Sequence, residues 1–124
     1  MIVRLAALCL AAFLATLVFA QPRTFLPKPE VESLAMGKQW IHLRTTDQRK
    51  ILWDLRSGGR LYARGFIGSQ TDSGTWMVNN EGQLCVKWRG NSTDRCVALL
   101  KDGEKLLMVD SNDLAGTYGE LTIE

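Results

Sequence analysis

The sequence predicts a mainly β protein: a small antiparallel β-barrel or sandwich of about eight strands, preceded by one short helix. Three observations predict it. Apolar residues alternate with period two from about Trp40 to the end of the chain. Turn-forming groups punctuate that alternation at Ser57-Gly58-Gly59, Asn79-Asn80-Glu81-Gly82, Gly90-Asn91 and Asp102-Gly103. Two cysteines, Cys85 and Cys96, flank the Gly90-Asn91 turn, where a disulfide would staple a domain with one modest core.

The chain has 124 residues. Its first 20 read as a secretory signal peptide: Arg4 supplies the charged start, Leu5 to Phe19 is apolar, and Val18-Phe19-Ala20 offers small residues before a cut at Gln21. The apolar run is about 15 residues, short of the roughly 20 that span a bilayer. Cys9 lies inside that run and leaves with it. Arg4 leaves too, so the formal charge of +2 falls to about +1. A near-neutral chain without a clustered basic face argues against nucleic acid, and against electrostatic attachment to anionic lipid. The expected location is periplasmic or secreted, with no membrane association after signal cleavage.

Residues 21–29 hold all three prolines and read as an extended leader. A single domain, 30–124, follows. Glu30 to Lys38 is a short helix: Val31, Leu34 and Ala35 share a face, acidic residues open it and Gly37 stops it. Trp40–Arg44 is a candidate strand. Ile51, Trp53 and Leu55 then alternate with Leu52, Asp54 and Arg56, and after the glycine turn Leu61, Ala63 and Gly65 alternate with Tyr62, Arg64 and Phe66. Gly68 to Ser73 reads as a loop. Trp76 and Val78 share a face across the next turn from Leu84, Val86 and Trp88.

The register of the following hairpin follows from its loop. A turn centred on Gly90-Asn91 sets Cys85 opposite Cys96 on one side of the sheet, so the spacing agrees with a disulfide. The alternatives are a metal site or a redox pair. Zinc would need two further ligands, and the single histidine, His42, is distant in sequence; a thioredoxin-like pair would be spaced Cys-x-x-Cys. Asp102-Gly103 reads as a two-residue turn that places Leu99 opposite Leu106 and Val97 opposite Met108. Gly119 to Glu124 closes the series, with Leu121 and Ile123 on one face.

No catalytic set emerges. His42 lacks a nucleophile or carboxylate at motif spacing and reads as a strand-borne surface residue. Asp54, Asp72, Asp94 and Asp110 are scattered over turns and strand ends. Gly58-Gly59 lies between strands, with no helix N-terminus to cradle phosphate. The expectation is a non-enzymatic binding or interaction module without cofactor or metal; the alternative of an enzyme would rest on a carboxylate-based site near Asp54 or Asp94. Trp53, Trp76 and Trp88 sit on faces with aliphatic neighbours and read first as core. Trp76 and Trp88 are also candidates to line a barrel mouth for a small apolar ligand. Tyr62, Arg64 and Phe66 form either a solvent-facing stripe for a protein partner or a second face covered by the helix. Asn91-Ser92-Thr93 is a glycosylation acceptor triplet, meaningful only in a eukaryote, whereas the short signal and simple architecture favour a bacterium.

Gly37-Lys38, Gly59, Tyr62, Gly74-Thr75-Trp76, Gly82, Leu84-Cys85, Trp88 and Cys96 together resemble a family of small exported proteobacterial proteins classed as a domain of unknown function. The resemblance spans about residues 30–100 and is most specific over 74–96. It implies a periplasmic β-rich domain with a disulfide and supplies no activity. The size and disulfide are also similar to those of small exported β-barrels that block lysozyme, which makes inhibition of an envelope enzyme one form of the interaction reading.

Overall fold

A computed structural model describes residues 24–43, 48–66, 70–112 and 119–124. The first 20 residues, read above as a signal peptide and holding Cys9, and Arg44 lie outside the described residues. The fold is a closed antiparallel barrel of eight strands in sequence order, with one helix, so the barrel and not the sandwich is the outcome. The elements are α1 (Lys28–Ala35), β1 (Lys38–Leu43), β2 (Lys50–Leu55), β3 (Arg60–Gly65), β4 (Thr71–Val78), β5 (Leu84–Trp88), β6 (Arg95–Asp102), β7 (Lys105–Asp110) and β8 (Gly119–Ile123). Closure comes from β8 pairing back onto β1, Trp40 against Ile123 and His42 against Leu121. A barrel removes every sheet edge, which a small β domain would otherwise have to protect.

The period-two alternation maps onto inside and outside. Trp40, Trp53, Leu55, Leu61, Trp76, Val78, Leu84, Val86, Val97, Leu99, Met108 and Leu121 form one continuous buried cluster with Val31 and Ala35 of the helix. The Cys85–Cys96 disulfide is formed, and the two residues pair directly in the register expected from the turn. It closes a loop with a sequence separation of 11. Cys85→Ser is therefore expected to cost about 3 kcal/mol through the freed unfolded chain. Thermal melts with and without reductant check this, and an unchanged midpoint in the variant would mean that the bond contributes nothing.

α1 plugs one end of the barrel. It begins at Lys28, two residues before the expected start, because Pro29 in the first turn gives up only an N–H that has no intrahelical partner. The leader is not simply extended either. Leu26 donates its N–H to the Leu99 carbonyl at 2.8 Å, and Phe25 bridges Leu100. The segment thus continues along β6 beyond Leu84, where β5 begins. The indole N–H of Trp40 donates to the Leu34 carbonyl at 2.9 Å, tying the helix to the barrel wall.

Two sequence expectations on strands are corrected. Thr71-Asp72-Ser73, read as loop, belong to β4 and pair with Arg64, Ala63 and Tyr62; their turn-like composition hid a strand whose inward residue is polar. The β6–β7 hairpin is shifted by two residues, with Asp102 opposite Lys105, Leu99 opposite Met108 and Val97 opposite Asp110. Gly103, at φ 62, takes the first position of the two-residue loop rather than the second. Glycine with positive φ there is the type II′ pattern. A shift of two leaves the same side chains inside.

Candidate functional site

Antiparallel order places the ends of β1, β3, β5 and β7, and the starts of β2, β4, β6 and β8, at the end of the barrel opposite α1. The inward positions there are His42, Ile51, Gly65, Asp72, Trp88, Arg95 and Asp110, as fixed by the pairing of each with a core residue or with one another. Ile51, Gly65, Asp72, Trp88 and Arg95 among them line a cavity of about 290 Å³. Its apolar lining is Ile51, Trp53, Ala63 and Trp88. Its polar lining includes Arg49, Arg95, Gln70 and Thr93.

The aromatic wall is a chain of edge-on contacts. Trp53 meets Trp88 with ring centroids 5.8 Å apart at 65° and meets His42 at 4.7 Å and 78°. His42 is therefore no surface residue: it is 1% exposed, inside the barrel. It shares the inward parity of Trp40, and that parity decides its place. Arg95 faces the interior opposite Val86 and pairs with Asp110 at 3.9 Å, both side chains partly buried.

Asp72 holds the loop that forms one side of the mouth. Its Oδ1 accepts the N–H groups of Ser73 at 2.8 Å and Gly90 at 2.9 Å, and its Oδ2 accepts that of Ser92 at 3.2 Å. The Ser92 side chain adds the strongest contribution, and together, against the cost of desolvation, these bonds hold the carboxyl below the ordinary aspartate value. The tether therefore contributes fully above the ordinary aspartate range and is lost as pH falls through the depressed folded value. Asp72→Asn is expected to speed hydrogen exchange at the amides of Gly90 and Ser92 while leaving β1 and β2 protected. Unchanged exchange at those two amides would remove the tether role.

The sequence-predicted candidates divide. Trp88 lines the cavity. Trp76 does not: it is buried near the plugged end, its indole N–H donating to the Arg56 carbonyl at 2.9 Å. Trp76 and Trp88 lie on adjacent antiparallel strands, each toward the C-terminal end, so they point to opposite ends of the barrel. Tyr62, Arg64 and Phe66 face outward, and the helix packs on β1 and β4 rather than over them. Tyr62 and Phe66 are each 42% exposed. Cations stack on them: Arg56 over Tyr62 at 4.6 Å, and Lys50 and Arg64 over Phe66 at 5.0 and 5.2 Å. A wider groove beside this stripe is lined by Gln39, Leu52, Asp54, Tyr62 and Arg89.

Asp54 and Asp94, the carboxylates weighed for catalysis, are engaged elsewhere. Asp54 accepts the Nε–H of Arg56 at 3.2 Å on the outer face, and Asp94 accepts the Trp88 N–H at 2.8 Å. Sequence reasoning missed Trp53, Arg95 and Asp72 as mouth residues. The signal for Arg95 was present, because the register that pairs the cysteines on the outside turns their neighbour inward. Among the described residues no group of three or more His, Cys, Asp and Glu side chains could hold a metal ion, and no helix is long and apolar enough to cross a membrane. The disulfide fits an oxidising compartment.

Comparisons with protein-family models, with curated proteins and with solved structures found no match.

Proposed function

We propose that this protein is an exported, non-enzymatic binding barrel that holds a small ligand in the mouth opposite its helix plug. The observation that carries the reading is the cavity bounded by Trp53 and Trp88 at one end of a barrel whose other end is filled by α1. A barrel of eight strands is wide enough to hold one small ligand, and a cavity of about 290 Å³ stands at the lower edge of the range for ligand sites. Tryptophan walls and a few polar rim groups are the usual composition of such sites. Export is supported by the signal-like first 20 residues, by the disulfide and by the resemblance carried by Gly74–Cys96.

Tryptophan fluorescence tests the reading. Titration with lipids, haem and small aromatic compounds is expected to change the emission of the native protein with at least one class, and Trp88→Ala is expected to weaken that binding. Emission unchanged across the panel would argue against a ligand-holding mouth.

The second reading is a protein-interaction module, the envelope-enzyme inhibitor among its forms. It is favoured by the outer stripe of Arg56, Tyr62, Arg64 and Phe66. Exposed aromatics with stacked arginines have the composition of interface hot spots. A partner captured by the native protein and lost with Tyr62→Ala, together with silent tryptophans in the ligand titration, would favour this reading over the first.

A further inference from the structure

The outer wall of the barrel carries its charge on one side. The outward positions of β2 to β5, with the residues that directly follow β2 and β5, hold the exposed cations Lys50, Arg56, Arg60, Arg64, Lys87 and Arg89 and one carboxylate, Asp54. The outward positions of β6, β7, β8 and β1 hold Lys105 against Asp102 and Glu120, with Glu124 at the end of β8. The near-neutral total charge of the chain hides this separation, because strand pairing and not proximity in sequence gathers the cations. Asp54 pairs with Arg56 at 3.2 Å, and among the described residues no carboxylate pairs with the other five. Pairing sets the side chains in rows. Arg56 faces Arg60, whose carbonyl accepts the Arg56 N–H at 2.9 Å, and Thr75 and Lys87 follow across the sheet. Like charges directly opposite each other weaken a sheet, so this row costs the barrel stability. Gln39, Asp54, Tyr62, Ser73 and Arg89 form the next row. The groove beside the aromatic stripe follows that second row, with Arg64 on its border. Five strands at about 4.8 Å spacing span roughly 19 Å, the length of about six extended residues.

We propose that this groove docks an extended, Glu- or Asp-rich segment of another protein, its carboxylates on Arg60, Arg64, Lys87 and Arg89. The proposal rests on the outer stripe as an interaction surface and is independent of the mouth. Charge complementarity selects an acidic partner and repels a basic one. Arginines outnumber lysines on this face, and the guanidinium fork matches the two oxygens of a carboxylate. Exposed Tyr62, Phe66 and Met77 among arginines have the composition of a protein interface. Single-stranded nucleic acid would instead use aromatic faces as platforms for its bases. Here Arg56 lies over Tyr62, and Lys50 and Arg64 lie over Phe66.

The test is calorimetric titration of the native protein, at low ionic strength, with three linear probes of equal charge: oligoglutamate, oligogalacturonate and oligothymidylate. Oligoglutamate is expected to bind about tenfold or more tightly than the other two, and to move the NMR amide signals of Tyr62, Ser73 and Arg89. Arg64→Gln combined with Arg89→Gln is expected to weaken that binding about tenfold. Lys105→Gln, on the opposite wall, is expected to leave it unchanged. Arg60→Gln is the second variant: weaker binding with a melting midpoint equal to or above the native one, since it removes a like-charge pair. Equal or tighter binding of the sugar or the nucleotide chain at the same residues would overturn the peptide assignment, as would oligoglutamate binding that these variants do not alter. Binding of none of the three would overturn the inference, while the outer-stripe reading is decided separately by partner capture with Tyr62→Ala.

Discussion

Trp40→Ala is expected to lower the unfolding free energy by about 3–5 kcal/mol, the range for removing a buried tryptophan side chain. Trp40 has no exposed surface and lies in the core cluster that joins α1 to the barrel. Its loss combines two effects, an emptied volume beside Val31 and Ala35 and a Leu34 carbonyl deprived of its donor. At 4–8 °C per kcal/mol for a domain of this size, the melting midpoint falls by more than about 12 °C. Trp40→Phe is expected to cost less, since it keeps a six-membered ring in the site while losing the indole N–H and part of the buried ring volume. The helix should also lose hydrogen-exchange protection in the alanine variant before the strands do. A midpoint within a few degrees of the native one would show that the plug is held by something other than this side chain.

Gly74→Ala is the second large effect. Gly74 stands between Leu61 of β3 and Trp88 of β5. A Cβ built there would lie 1.9 Å from the Lys87 carbonyl oxygen and 2.9 Å from its carbonyl carbon. The obstacle is backbone, so no rotamer change relieves it and the two strands must part. Overpacking usually costs 1–3 kcal/mol, and a contact this close with main chain belongs at or above the upper figure, about 3 kcal/mol. The strands that part carry Trp88 and, one strand-turn earlier, Asp72, so the variant should also lose ligand affinity at the mouth. Urea unfolding of the purified variant checks the first expectation. A midpoint equal to that of the native protein would mean that β5 can move aside freely.

The fold was legible in the sequence where local rules and pairing rules agreed. Cys85 and Cys96 were placed opposite each other by a turn signal, and the alternation of Leu84, Val86 and Trp88 on the other face agrees with that register. The Asp102-Gly103 turn shows the limit of a local rule. The dipeptide marks a tight turn but does not say which loop position the glycine fills, and the answer moved the register by two residues. His42 was hidden because a lone polar side chain is ordinarily exposed, while its inward parity with Trp40 becomes decisive only once closure by β8 has made both neighbours of β1 part of a wall. Thr71-Asp72-Ser73 was hidden for the opposite reason: the strand is polar where it borders the mouth.

The candidate site was less legible than the fold, and for a definite reason. Alternation tells inside from outside, but it does not tell one end of a barrel from the other. Trp76 and Trp88 share the inward face, and only the helix, by filling one end, makes them different. Arg95 and Asp72 are inward polar residues on strands otherwise apolar within, and they acquire meaning together, at the end that α1 leaves unfilled. The outer stripe of Tyr62, Arg64 and Phe66 was read correctly as a face; the choice between solvent and helix cover needed the helix to be placed.

The most direct test of the mouth as a ligand site is the indole region of a two-dimensional NMR spectrum of the protein, titrated with naphthylacetate or naphthylethanol, whichever binds more tightly. The chain has four tryptophans, two near the cavity and two at the plugged end. The expected result is movement of the Trp53 and Trp88 indole N–H signals with those of Trp40 and Trp76 unmoved. Shifts confined to backbone amides around Tyr62, Arg64 and Phe66, with all four indoles silent, would contradict it and place binding on the outer face.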